Sequence, residues 1–315
     1  MADLPSTRVA RRPIRLLADY RSRRARQEVL GALLLLLPAI VILGVVIFYP
    51  LVQALQLSFQ NANLLSLGMA QNVGLSNFQQ LVSDDTFWTA VLNTIVFVGV
   101  SVAGGLLLGG ALALLLNERI PLRSLFRSLA LVPWVAPGVV VALLALYMFN
   151  SQVGVVDYAL TKIGVSHQFI DWYGSPHNAL WAEIIPNIWN QTPFYMLMIL
   201  AGLQAVPTEQ YEAAHIDGAS VINRFRYVTL PNIRGVLMIV TSLMVIWNVN
   251  NFDLIWATTQ GGPLNATMTL SVYVYRTAFT ALNIGYAAAI GLVWLVFLLL
   301  FSFFYIRALE RGEWA

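Results

Sequence analysis

No cysteine occurs among the 315 residues, which removes disulfides, Cys-ligated metals and thiol nucleophiles from consideration. Histidine is nearly as scarce: His167, His177 and His215 are the only 3, and no two stand at a metal-ligand spacing. Lysine occurs once, at Lys162, where Ile163 follows it, so the chain lacks the G-x-x-x-x-G-K-[ST] loop that cradles nucleotide phosphates. If an ATP-driven motor is needed, it is another polypeptide. Charged residues of both signs make up only 10% of the chain, against about 25% in ordinary soluble domains. A net charge of +3 and a pI near 9.3 would suit nucleic acid, but the basic residues are dispersed over short loops and tails and form no patch, which excludes that partner.

What is present is apolar: 58% hydrophobic residues and a mean hydropathy of +0.71 make lipid the solvent for most of the chain. A helix rising about 1.5 Å per residue needs about 20 apolar residues to cross a hydrocarbon core of roughly 30 Å. Six such runs are found, near 29–49, 90–116, 128–149, 179–204, 235–257 and 284–306. The fold class is therefore an all-α polytopic membrane protein with six transmembrane helices. The first run follows an Arg-rich tail and has no small-residue cleavage site, so it is expected to be an anchor rather than a removed signal peptide. The stretch 8–26 is read either as an interfacial amphipathic helix or as a solvated topogenic tail. Of the 18 Lys and Arg, 16 fall in 1–28, 117–127, 205–234 and 307–315, leaving Lys162 and Arg276 for the opposite side. By the positive-inside rule both termini are cytoplasmic.

Within the spans only Glu183 and Asp253 are ionisable, each near the outer end of its helix, where water or headgroups can solvate it. The middle of the bilayer carries no charge, which disfavours a proton relay and points to an uncharged substrate. Two spans are nevertheless polar at mid-depth. The fourth has Asn187, Asn190, Gln191, Thr192 and Tyr195, and the fifth has Trp247, Asn248, Asn250 and Asn251. Residues three or four apart share a helical face, so each set includes an amide stripe that must meet protein, water or ligand. Amides and aromatic rings are also what a neutral sugar needs for its hydroxyls and its apolar ring faces. Gly104, Gly105, Gly109 and Gly110 include a G-x-x-x-G pair suited to close helix packing, and Pro133, Pro137, Pro186 and Pro193 are expected to kink or break spans. In the outer loop 150–178, Gly154 to Val165 has an amphipathic pattern and is expected to lie at the interface.

Between the fourth and fifth runs the cytoplasmic loop 207–231 reads as two short helices. Thr208 is expected to cap the first, Gly218 to stop it in a left-handed conformation, Ser220 to cap the second, and Pro231 to end it. Glu212-Ala213-Ala214, Asp217-Gly218-Ala219, Phe225 and Leu230-Pro231 resemble the E-A-A-x-x-D-G-A…F…L-P loop of binding-protein-dependent ABC importer permeases. Phe48-Tyr49-Pro50-Leu51, Asn77-Phe78, Asn93-Thr94 and Gly261-Gly262-Pro263 resemble the first of the two permeases in carbohydrate importers of the maltose and glycerol-phosphate type.

The resemblance implies a type I ABC importer transmembrane fold in a bacterial inner membrane. It implies a core of five helices over 90–306, preceded by the tail 1–28 and by a first helix with its outer loop over 29–89, and followed by the tail 307–315. The loop would be the coupling helix, with Glu212 contacting the ATPase, Gly218 setting the bend and Ala213 and Ala214 packing closely. Trp247-Asn248-Val249-Asn250-Asn251-Phe252 resembles a stretch lining the sugar site of maltose permeases, which makes Asn187, Gln191, Phe194, Trp247, Asn248 and Asn251 the candidate substrate contacts. The implied partners are a second homologous permease, two copies of an ATPase that bind ATP and Mg, an extracytoplasmic sugar-binding protein, a sugar and the bilayer. No cofactor is expected in this chain. Three alternatives stand beside a di- or oligosaccharide importer: a permease for glycerol 3-phosphate or another polyol, a secondary carrier, and a membrane scaffold without a substrate. The secondary carrier is disfavoured by the uncharged midplane and by the absence of detectable inverted repeats.

Overall fold

The computed structural model describes residues 23–118 and 120–312. Residues 1–22, which include most of the expected N-terminal tail, and residues 313–315 of the expected C-terminal tail lie outside the described residues. Residues up to Ala54 form one unit and those from Leu55 onward a second.

In the first unit, α1 (Arg23–Leu43) passes through a π-turn, Gly44–Phe48, into α2 (Tyr49–Ser58), whose last turn belongs to the second unit. Phe48-Tyr49-Pro50, expected to end the first span, instead lies inside a helix that continues to Ser58. The wide turn explains the continuation: the Tyr49 amide donates to the Gly44 carbonyl, five residues back, and Pro50, which has no N–H to satisfy, follows immediately.

The second unit begins with a two-stranded antiparallel ribbon, β1 (Gln60–Asn61) and β2 (Gln71–Asn72), followed by α3 (Ser76–Val82) and the long α4 (Asp85–Asn117). Next come α5 (Arg123–Ala130), α6 (Val132–Val135), α7 (Gly138–Met148), α8 (Val155–Lys162) and α9 (Ala179–Gln204). After them stand α10 (Thr208–Ile216), α11 (Val221–Arg224), a π-turn at Phe225–Thr229, α12 (Leu230–Val249) and α13 (Asp253–Thr258). The chain closes with α14 (Leu270–Tyr275), a π-turn at Arg276–Thr280, and α15 (Ile284–Gly312).

Among the described residues, four stretches are long and apolar enough to cross a membrane: Gln27–Ser58, Asp85–Asn117, Val221–Thr258 and Ile284–Arg307. The expected third span is a bent pair, Arg123–Val135 and Gly138–Met148, meeting at 94°. Ala136 causes the break: the ring of Pro137 disfavours helical dihedrals in the residue before it, and Ala136 is extended at φ −69° and ψ 128°. α9 has the length of a span but is not among these four, because amides and prolines interrupt its apolar run.

The core of this unit is the α4–α9 contact. A methyl built on Gly105 would sit 2.2 Å from the Tyr195 ring, and one on Gly109 would sit 2.4 Å from Tyr195 Cβ and 2.9 Å from the Met196 backbone nitrogen. The glycine motif therefore brings α4 against the backbone of α9, as its spacing suggested.

The fifth expected span is shorter than its apolar run. α12 ends at Val249, and Asn250 to Phe252 separate it from α13. The Asn250 side chain donates to the Ile246 carbonyl (2.7 Å), taking up an acceptor freed where the helix stops. Asn251 thus lies beyond the helix and not on its face.

Glu183 departs from expectation as well. It is fully buried and accepts hydrogen bonds from the Thr258 and Thr259 hydroxyls, so no solvent reaches it.

Several residues carrying the family resemblance pin the segments that join the long helices. Asn77 donates to the Ser58 and Gln60 carbonyls (2.8 and 3.0 Å), and Asn93 to those of Asn265 and Met268 (3.0 and 3.1 Å). The Thr94 hydroxyl accepts from the Leu270 amide at 2.9 Å. Asp84 is the hub: it caps α4 by accepting from the Thr86 and Phe87 amides, and its other oxygen accepts from the Tyr273 and Tyr286 hydroxyls. Burial pushes the Asp84 carboxyl up, but these four hydrogen bonds outweigh it and hold the pKa below the ordinary carboxylate value. A depressed folded-state pKa gives stability that is complete above the unfolded value of about 3.9 and is lost as pH falls through the folded one. Asp84→Asn should therefore lower stability by about 1–3 kcal/mol at pH 7. In thermal melts of the detergent-solubilised protein, the gap between variant and wild type should close below about pH 3.9.

Candidate functional site

The amide stripes of α9 and α12 face each other. Asn187 donates to the Asn248 side-chain oxygen (2.7 Å), Asn248 to that of Gln191 (2.8 Å), and Gln191 to that of Asn187 (2.9 Å), closing a ring of three amides. Further hydrogen bonds tie the ring to its surroundings. Asn187 donates to Ser101 Oγ on α4 (2.9 Å), Asn248 to the Met244 carbonyl (2.8 Å), and Asn251 to Asn187 Oδ1 (2.8 Å). Asn187, Gln191 and Asn248 are 1%, 6% and 2% exposed. The ring meets the requirement that buried amides be paired, and it joins α4, α9 and α12 at mid-depth.

A cavity of about 250 Å³ lies beside the ring. Trp134, Asn190, Trp247, Asn250, Asn251 and Asp253 line it, and Gln191 forms part of its wall. Of the six expected contacts, Gln191, Trp247 and Asn251 reach the cavity, whereas Asn187 and Asn248 are turned into the ring. Phe194 stands between the two tryptophans, its ring 5.7 Å from Trp134 and 6.0 Å from Trp247, and so sets their spacing. Trp134 was missed because it lies in the short α6, which the sequence presents as mid-span. Its flanking Pro133 and Pro137 were the available signal, since a broken span exposes side chains and backbone to a cavity. The break is held by Asn190, which donates to the Pro133 carbonyl at 2.6 Å.

At the other end of α9 the 207–231 segment forms a hairpin. Gly218 has φ +73°, the Ala219 amide donates to the Ala214 carbonyl (2.9 Å) and the Gly218 amide to that of His215 (3.1 Å), a complete Schellman closure of α10. Asp217 is its C-cap. Ser220 caps α11 by accepting from the Asn223 amide at 3.3 Å. Two expectations are corrected. Pro207, not Thr208, occupies the N-cap of α10, with no side-chain cap bond. Pro231 does not end the second helix: the π-turn Phe225–Thr229 precedes it, with the Leu230 amide donating to the Phe225 carbonyl, and the chain continues as α12. The widened turn takes up the residue whose missing N–H would otherwise interrupt an α-helix.

The two arms of the hairpin are joined by the Tyr211 and Thr229 hydroxyls at 3.0 Å, and the hairpin is tied to α12 by Asn232 donating to Gln210 at 2.7 Å. Glu212 and Ala213 are exposed, Ala214 and Ala219 are half-buried, and Phe225 is 39% exposed. The tip also presents Ile216, Val221 and Ile222, exposed by 85%, 72% and 76%. Their placement at the turn was not expected, since none belongs to the recurring loop pattern.

Residues 105–312 match the family model described as the binding-protein-dependent transport system inner membrane component. The chain belongs to this family. Among curated relatives, it is 34% identical over 282 residues to the trehalose/maltose transport system permease protein MalF of Thermococcus litoralis, covering 90% of this chain and 94% of that one. It is 33% identical over 282 residues to the sulfoquinovosyl glycerol transport system permease protein SmoG of Agrobacterium fabrum, covering 90% and 91%. Among solved structures it superposes on a chain of a bacterial alginate ABC transporter in complex with an alginate pentasaccharide-bound periplasmic protein, with TM-score 0.77, 24% identity and coverage of 91% and 96%. The fold is thus that of a type I importer membrane subunit, and the chain is an ABC permease, a multi-pass membrane transport component.

Proposed function

We propose that this permease is one membrane-spanning half of an ATP-driven, binding-protein-dependent importer of a neutral di- or oligosaccharide of the maltose or trehalose class. The observation that carries this reading is the cavity: two tryptophans held apart by Phe194, with amide side chains between them and no Lys or Arg in its lining. Aromatic faces and amide edges suit the apolar faces and hydroxyls of a sugar ring. Glycerol 3-phosphate fits less well, since a phosphate calls for a cation and the lining holds none, its one charged side chain being the carboxylate of Asp253. The relative named for trehalose and maltose supports the same class, and the one named for sulfoquinovosyl glycerol supports only the broader class of glycosides.

In this reading α9 is the sixth span. Its polar residues Glu183, Asn187 and Gln191 are buried by neighbouring helices, and its outward stripe Trp181, Ile185 and Trp189 is apolar. Lipid therefore meets only its apolar side. Both termini are cytoplasmic by the distribution of Arg, and the membrane is a bacterial inner membrane. The partners are a homologous second permease, two copies of an ATPase holding ATP and Mg, and an extracytoplasmic binding protein. The hairpin Thr208 to Pro231 docks on the ATPase through Glu212, Ala213 and the exposed apolar tip.

The test is sugar-stimulated ATP hydrolysis by the reconstituted four-component complex across a panel of maltose, trehalose, sulfoquinovosyl glycerol and glycerol 3-phosphate. Maltose or trehalose should stimulate, and Trp247→Ala should reduce that stimulation about ten-fold or more, as loss of a stacking anchor does. Stimulation by glycerol 3-phosphate alone, or stimulation by sugar that Trp247→Ala leaves intact, would refute the assignment.

A further inference from the structure

Asp253 is the single ionisable side chain lining the cavity. It stands at the start of α13, exposed, directly after the Asn250 to Phe252 break. Its position is built from two sides. Gly138, the first residue of α7, lies against it: a methyl there would be 3.2 Å from Asp253 Cβ and 3.7 Å from Oδ2. The absence of a side chain at Gly138 therefore gives Asp253 its place in the wall. The carboxylate also sits at the first turn of two helices, where a negative charge complements the positive helix end. Every other lining residue is uncharged, so no side-chain cation in the lining pairs with Asp253.

We propose that Asp253 is the specificity-determining residue of this cavity, admitting neutral and amino sugars and rejecting sugars that bear a carboxylate or sulfonate. The proposal rests on the cavity being the sugar site. A carboxylate is acceptor-only and takes two sugar hydroxyls or an ammonium, while it repels a second anion in a space this small. The rejection acts here by repulsion, in addition to any attraction for the accepted substrate.

The discriminating experiment uses the full complex in lipid nanodiscs without the binding protein, so that the membrane subunits alone select. Binding of methyl glucoside, methyl glucuronide and methyl glucosaminide is measured by calorimetry at pH 7. The glucoside and glucuronide differ only at C6, hydroxymethyl against carboxylate. Wild type should favour glucoside over glucuronide by about ten-fold or more, and Asp253→Asn should shrink that ratio by about ten-fold. Asp253→Glu, which keeps the charge, should preserve the ratio. A purely structural Asp253 would leave the ratio unchanged in Asp253→Asn, and that result overturns the proposal. If the neutral sugar binds equally well after Trp247→Ala, the cavity is not the sugar site, and the underlying reading falls together with the inference. Loss of binding in Trp247→Ala with an unaltered ratio in Asp253→Asn removes the inference alone.

Discussion

A complex carrying Glu212→Ala together with Gly218→Pro should assemble in the membrane yet lose its sugar-stimulated ATP hydrolysis by about ten-fold or more, the range of a typical coupling free energy. Gly218 sits at φ +73°, which proline cannot reach, and its amide closes α10 onto the His215 carbonyl. The substitution removes that bond and splays the turn that positions Ile216, Val221 and Ile222. Glu212→Ala removes the exposed carboxylate on the same helix. Neither position contributes to the buried core, so insertion and the α4–α9 contact should be retained. Gel filtration of the solubilised complex checks assembly, and phosphate release with and without sugar checks coupling. Unchanged stimulation in an assembled complex would show that the hairpin does not carry the signal.

Gly109→Val should have the largest effect on stability. Its methyls would be driven against backbone, with Met196 N at 2.9 Å and Thr192 O at 3.0 Å from the first added carbon, and backbone cannot rotate away as a side chain can. Overpacking at a helix crossing of this kind costs about 3 kcal/mol or more, enough to deplete folded protein in the membrane. Gly110→Ala is the matched control: the nearest atom is Ile199 Cδ1 at 3.8 Å, an ordinary contact, and the variant should melt within a few degrees of wild type. Fluorescence-detected melting of tagged protein extracted from membranes reads both. Equal melting of the two variants would contradict the close crossing of α4 and α9.

Hydrophobic length alone located most of the membrane-crossing segments, because lipid leaves few alternatives to a helix. The glycine motif was equally legible, since its spacing follows from helical geometry. Proline was read less well. Pro137 does break its span, but Pro50 and Pro231 lie in helices that continue, because a π-turn precedes each, and such turns leave no compositional mark. The substrate contacts were legible as polar stripes but not as to which way they face. Asn187 and Asn248 look alike in sequence to Asn190 and Asn250, and only the packing of α9 on α12 turns the first pair into a ring and leaves the second pair on the cavity. Asp84 was invisible for a related reason: its partners Tyr273 and Tyr286 lie 189 and 202 residues away.

The π-turn at Phe225–Thr229 also sets an azimuth. A π-turn amounts to one residue inserted into an α-helix, and each residue of an α-helix advances the chain by about 100° around its axis. The face of α11 that leads into the hairpin is therefore offset by about 100° from the face it would show on an uninterrupted helix running into α12. Deleting one residue from Phe225–Thr229 would restore ordinary winding and swing Glu212 and the apolar tip a quarter turn away from their present heading, with every residue of the docking surface still in place. In that sense the extra residue is a phase setting, by which the direction the hairpin faces is specified separately from what it displays.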